Sequence, residues 1–176
     1  MTGTRIAGMA DPPARIRALR DKLQAARDEF LAAIGDIEPA LRTTPGLVGD
    51  WSARELVAHV GYWAGHAAEA LHLAEQEELE TFGIGELSVD ERNAVVARIA
   101  SETDWATVTS RELSAYESFT DGLVRVDPER LGDRDADGDT LEEIVAFDGV
   151  DHYREHTLDI RAWFNEADPP EADDDD

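Results

Sequence analysis

Apolar positions recur every three or four residues over four long stretches of this chain, whereas strand-type alternation is scarce. The first stretch runs from about Pro12 to Ile37. Ile16, Leu19, Leu23, Phe30, Ile34 and Ile37 fall on or near one stripe, and Pro39 and Pro45 close it off. The second opens sharply at DWSARELVAHVGYW, with Leu56, Val60 and Trp63 on its apolar face. Ser52 and Glu55 spell an S-x-x-E capping box there. Ser88 with Glu91, and Thr140 with Glu143, repeat the signal ahead of the third and fourth stretches. Between those two lies an acidic, glycine-bearing loop, DPERLGDRDADGD, residues 127–139. The pattern predicts an all-α four-helix bundle over residues 12–166, flanked by a disordered N-terminus (1–11) and an acidic disordered tail (167–176).

Composition narrows the chemistry. At 176 residues the chain can bury a core as one domain. Cysteine is absent, which excludes disulfides, thiolate metal sites and a cysteine nucleophile, so any thiol must come from outside. The formal net charge is −24. It opposes nucleic acid and anionic membrane as partners, and a small molecule is the expected substrate. Lys22 is the only lysine; the arginine- and acid-rich composition fits either adaptation to salt or the base composition of a genome. The opening MTGTRIAGMADPP lacks a signal-peptide core and no stretch approaches a membrane span, so a cytoplasmic location is expected.

The candidate chemistry lies in the histidines. DGVDHYREHTLDIRAWF, residues 148–164, sets His152 and His156 four apart on the face that also holds Val145, Ile160 and Trp163. Positions i and i+4 stack on a helix, so both imidazoles reach one point of the bundle interior. A divalent metal such as zinc takes neutral imidazole nitrogens at about 2.0–2.1 Å, and catalytic sites commonly use three protein ligands plus an open position. His59, beside the stripe of Leu56, Val60 and Trp63, is the natural third ligand. At ~1.5 Å per residue it lies roughly 10 Å from the start of its helix, and His156 roughly 13 Å before the end of the last. Antiparallel packing of helices two and four sets them level. Helix three then runs parallel to helix two, reached by a long crossover through about residues 76–88.

The segment from His152 to His156 also reads H-x-x-E-H, a zinc-peptidase signature, but such enzymes need a further ligand well downstream and little chain remains. The plainer reading of the pair is two partly buried histidines hydrogen-bonded to Asp148, Asp159 or backbone.

Trp51, Ser52, Leu56 and His59, then His152, His156, Ile160 and Arg161, resemble the DinB/YfiT-like superfamily. Its members pair a W-S-x-x-x-L-x-x-H segment on helix two with H-x-x-x-H and a following I-R on helix four. The resemblance spans about residues 14–165. It implies a four-helix bundle with a long crossover between helices two and three, in agreement with the length argument. It further implies a divalent metal, zinc or nickel, held by His59, His152 and His156. The implied activity is that of a thiol S-transferase or isomerase drawing on mycothiol or bacillithiol, or of a small-molecule hydrolase. ClbS/DfsB-like self-resistance proteins in the same superfamily imply the alternative, a metal-free module that binds a reactive small molecule. Relatives often form dimers, so a homodimer is a further expectation.

Around the triad, Asp148 precedes His152 by four and is placed to accept a proton or orient an imidazole as the catalytic group. His66, seven after His59, is expected to line the substrate cavity with Tyr62 and Tyr153. Plainer roles stand beside these: Asp148 as a partner for another helix, His66 as a core or surface histidine, and Trp51, Trp63 and Trp163 as core. Arg154 and Asn93 are further candidates for the cleft, and His72 reads as surface.

Overall fold

The computed structural model of the protein describes residues 11–83 and 85–167. The two expected disordered flanks lie outside these residues, but for Asp11 and Ala167. The elements are α1 (Pro12–Asp36), α2 (Ala53–Glu75), α3 (Val89–Ser101), α4 (Trp105–Arg125), α5 (Leu141–Val145) and α6 (His152–Ala167). A π-helical turn, Ala146–Asp151, makes α5 and α6 one continuous run. Among the described residues there is no strand, only isolated bridges at Val48 with Trp51 and Arg134 with Thr140. Among the described residues no helix is long and apolar enough to cross a membrane.

All three capping boxes form as the sequence predicts. Ser52 with Glu55, Ser88 with Glu91, and Thr140 with Glu143 each satisfy two of the backbone N–H groups at the helix start that have no partner within the helix. The third stretch differs from the single helix expected of it. It breaks at residues 102–104, where the Asp104 side chain accepts from Thr107 N at 2.9 Å and caps a new helix. Ser101 and Thr103 hydroxyls bond back to the carbonyls of Arg98 and Ile99, each at 2.7 Å, and draw the chain out of α3. The crossover between the long helices α2 and α4 therefore runs over residues 76–104 and contains α3.

Contacts fix the directions. Gly61 lies against Glu112 and Gly122 against Leu71, so α4 runs parallel to α2. A Cβ on Gly61 would stand 3.0 Å from the Glu112 Cα, so glycine is what lets these two backbones close. Trp63 bonds Asn93 and Tyr62 bonds Arg92, while Ala58, Val96 and Ile99 line one small pocket, which lays α3 antiparallel on α2. His59 meets His152 and His66 meets Asp148, so the final run is antiparallel to α2. Helices two and four of the bundle, α2 and the α5–α6 run, are thus antiparallel, as the level of the histidines required.

The core takes in the expected stripes of α1 and α2 and side chains of the later helices. Leu23, Phe30, Leu56, Phe119, Leu123, Leu141, Tyr153 and Ile160 are 0% exposed, each side chain of this kind contributing about 1.5–3 kcal/mol of burial. One polar knot crosses it. Arg27 of α1 donates through Nε and Nη2 to the two Glu112 oxygens at 2.7 Å, and Tyr153 Oη donates to Oε1 at 2.7 Å. Glu112 is 2% exposed, so this knot binds α1, α4 and α6 in one register where no water can substitute.

Candidate metal centre

His59 stands in the second turn of α2, His152 opens α6 directly after the π-helical turn, and His156 follows one turn on. Their ring centroids form a near-equilateral triangle of 4.7, 5.0 and 4.9 Å. One ligand nitrogen of each lies within 4.8 Å of the other two, and the His59 and His152 Nε2 atoms are 2.8 Å apart. Tetrahedral coordination at about 2.05 Å needs nitrogens roughly 3.3 Å from one another. The shortest observed separation is a little under that value, and none exceeds 4.8 Å. Among the described residues this is the one cluster of three His, Cys, Asp or Glu side chains close enough to hold an ion.

The protonation states suit that role. His59 is 5% and His156 8% exposed. Burial, with the neighbouring His156, lowers the His59 pKa to about 3, against a hydrogen-bonding contribution from Asn93 that favours the protonated ring. Burial, with His59 and His156 beside it, lowers the His152 pKa to about 2. Both rings are neutral near pH 7, the form that ligates a metal. His156 Nδ1 lies 2.8 Å from Asp159 Oδ2. With that nitrogen donating to the carboxylate, the Nε2 lone pair is left for the triangle, the arrangement of a carboxylate behind a metal-bound imidazole. Asp159, three residues beyond His156, has the spacing for this contact in the sequence itself.

The π-helical turn bears on the aim of these groups, as such turns often do at functional sites. Gly149 lies within it against Phe119, where a Cβ would stand 2.6 Å from Cε1 and 2.8 Å from Cζ. Asp148 comes from the same turn and is 4% exposed. It does not attend His152, as an unbroken α-helix would suggest, but joins His66 Nδ1 at 2.7 Å. Burial raises its pKa and His66 opposes that shift. His66 Nε2 and His59 Nδ1 are buried without a completed hydrogen bond.

The triad opens on a cleft of about 840 Å³. Trp51, Trp63, Val89 and Phe147 give it apolar walls; Asp135, Asp139, Glu143 and Glu155 bring carboxylates to it. Trp51 and Trp63 are thus cleft wall as well as packing, with ring centroids 4.9 and 6.4 Å from His59. His66, Asp148 and Asn93 also line the cleft, while Tyr62 and Tyr153 do not. Tyr62 lies on a neighbouring cavity of about 710 Å³ that shares His66, and its hydroxyl accepts from Arg92 at 2.7 Å. Tyr153, 0% exposed, is turned into the Glu112 knot, so its side chain packs the core and does not face a ligand. His72 is exposed and pairs with Gln76. Phe147, 67% exposed at the mouth, and the 135–139 loop carry no local signal for this position; the chain's return past α2 puts them there.

Fold and site together define a four-helix bundle with three converging histidines. No protein-family model matches the sequence, and no curated protein matches it. Solved structures do match. A protein of Escherichia coli UTI89 described as uncharacterised superposes with a TM-score of 0.70 at 12% identity, over 86% of this chain and 94% of its own. The mycothiol-dependent maleylpyruvate isomerase gives 0.69 at 15% identity over 82% of this chain, which spans 60% of that protein's length. The colibactin self-resistance protein ClbS, solved in complex with a dsDNA, gives 0.67 at 13% identity over 84% and 93%. At such identities the likeness is one of fold.

Proposed function

We propose that this protein is a metal-dependent enzyme acting on a small molecule, with His59, His152 and His156 as ligands to a divalent cation such as zinc or nickel. The observation that carries the reading is the triangle of three mostly buried imidazoles on a cleft large enough for a drug-sized ligand. A dication held by three imidazoles supplies a Lewis acid that polarises a carbonyl and lowers the pKa of water or a thiol. The chain's own groups do the rest. Trp51, Trp63 and Phe147 exclude water from one side of the reacting molecule, and the buried Asp148–His66 pair is placed to hold a proton beside it.

The likeness to a mycothiol-dependent isomerase supports a thiol S-transferase or isomerase, with mycothiol or bacillithiol as the outside thiol that a cysteine-free chain requires. Hydrolysis is the other use of the same centre. Metal analysis of the native protein, followed by turnover assays with and without each thiol, tests this. About one ion per chain, lost in the triple histidine variant, is expected. Protein that carries none and takes up none of the divalent metals overturns the metal reading.

The likeness to ClbS favours a second reading, a metal-free module that sequesters a reactive small molecule. It requires ligand affinity indifferent to chelator. DNA fits this chain poorly, since a net charge of −24 and a carboxylate-bearing cleft repel phosphate. Duplex binding in a low-salt gel-shift assay would restore it.

A further inference from the structure

The cleft at the triad differs from its neighbours in charge. Six carboxylates line it, those of Asp135, Asp137, Asp139, Glu143, Asp148 and Glu155, and among the described residues no lysine or arginine does. An acidic chain does not produce this by composition alone, because three other cavities of the same molecule carry Arg111, Arg92, and Arg130 with Arg134. Several of the six are already committed. Asp148 is held by His66, Glu143 caps Thr140, and Asp135 Oδ1 accepts from the backbone N–H groups of residues 137–139. Asp139 and Glu155 are different: both are exposed, and neither side chain makes a hydrogen bond or ion pair with another described residue. Burial, and after it the charge of Asp139, favours a proton on Asp148, so the Asp139 carboxylate lies close enough to be felt at the inner wall. Trp51, Trp63 and Phe147 supply the apolar surface, and the face of an aromatic ring attracts a cation.

We propose that the cleft takes a cationic small molecule with an apolar body, an amine or a quaternary ammonium, with Asp139 and Glu155 as its counter-charges and Trp51, Trp63 and Phe147 as its walls. This rests on the reading of the cleft as the substrate site and narrows the substrate class. Carboxylates that have no partner of their own repel a carboxylate or phosphate substrate and attract an ammonium. The aromatic walls take the apolar body, and they reward the same sign of charge. An uncharged part of the molecule is then free to meet the triad.

The test uses probes of similar shape and different charge: phenethylamine, phenethyl alcohol and hydrocinnamate. Each is titrated into the metal-free protein and followed by ¹H–¹⁵N NMR, where the indole signals of Trp51 and Trp63 report binding in the cleft. The amine should bind about tenfold tighter than the alcohol, the combined effect of exposed ion pairs and of a cation over aromatic faces, and the carboxylate should bind weakest. Added salt should shrink the difference. Asp139→Asn/Glu155→Gln should cut the preference for the amine several-fold. Glu117→Gln/Asp121→Asn, which removes the same charge from exposed positions of α4 that do not line the cleft, should leave it unchanged. Hydrocinnamate binding as tightly as the amine, no binding of the amine at Trp51 and Trp63, or equal effects of the two double variants overturn the proposal. The result does not depend on the metal: a protein that takes up no zinc and still prefers the amine loses the metal reading and keeps this one, and a zinc protein without the preference does the reverse.

Discussion

Nε2 of His59 and Nε2 of His152 stand 2.8 Å apart, although 93 positions separate them in the chain. Two neutral imidazoles at that distance need one proton between them, and a cation can take the place of that proton. The same short contact therefore serves the metal-free bundle as a hydrogen bond and would present the pair to an ion. His156 completes the triangle from the same helix as His152.

Acid should expose the cost of burying these rings. Folded His59 and His152 take up protons only near pH 3 and 2, whereas their ordinary value is 6.5. Between those limits the unfolded chain binds more protons, so their contribution to the stability of the metal-free protein is level above about pH 6.5 and declines as pH falls below it. Urea unfolding in EDTA across this window gives the slope. A His59→Gln/His152→Gln variant should flatten it.

The Glu112 knot predicts a graded pair of losses. Removing Glu112 leaves Arg27 buried and uncompensated, and Glu112→Ala should cost about 3–5 kcal/mol in denaturant unfolding. Tyr153→Phe removes one neutral donor to a charged acceptor and should cost about 1.5–3 kcal/mol. Metal affinity in Tyr153→Phe should match wild type, since the hydroxyl faces away from the triad.

Gly149→Ala forces a methyl into the ring of Phe119, itself 0% exposed and without room to retreat. Overpacking of this kind costs about 1–3 kcal/mol. Because the same turn carries Asp148 and leads into His152, thermal unfolding and zinc affinity should worsen together. Wild-type zinc binding in a destabilised Gly149→Ala protein would show that the turn does not aim the ligands.

Two carboxylates near the triad should separate by function. Asp159→Ala deprives His156 of its partner and should weaken zinc binding about 10–100-fold. Asp148→Ala, whose partner is His66, should lower stability by about 1–3 kcal/mol with zinc affinity within a few-fold of wild type. Competition titrations and urea melts on both variants check the contrast.

The helices were legible because their signals are local. A capping box lies within four residues, and an apolar stripe repeats within two turns, so the starts at Ser52, Ser88 and Thr140 and the core positions of α1 needed no tertiary information. The break after Ser101 was written in SETD as well, but an apolar period running through it concealed the restart at Asp104. The triad was half local: His152 and His156 share a helix face by spacing, while His59 entered through helix lengths and through resemblance.

What only the folded chain decided are contacts between elements and departures from the α-helical period. The π-helical turn moved Asp148 from the attendance of His152 to that of His66, because inserting a residue into a helix rotates everything beside it. Tyr153 read as a cleft residue and became core, since Glu112, on a helix some forty residues earlier, offered its hydroxyl a buried acceptor. Sequence alone fixed which residues could ligate and which faces were apolar, for those depend on side-chain chemistry and helical repeat. Which nitrogen meets which partner depended on the direction and register of packed helices, and these are set by distant contacts such as Gly61 on Glu112.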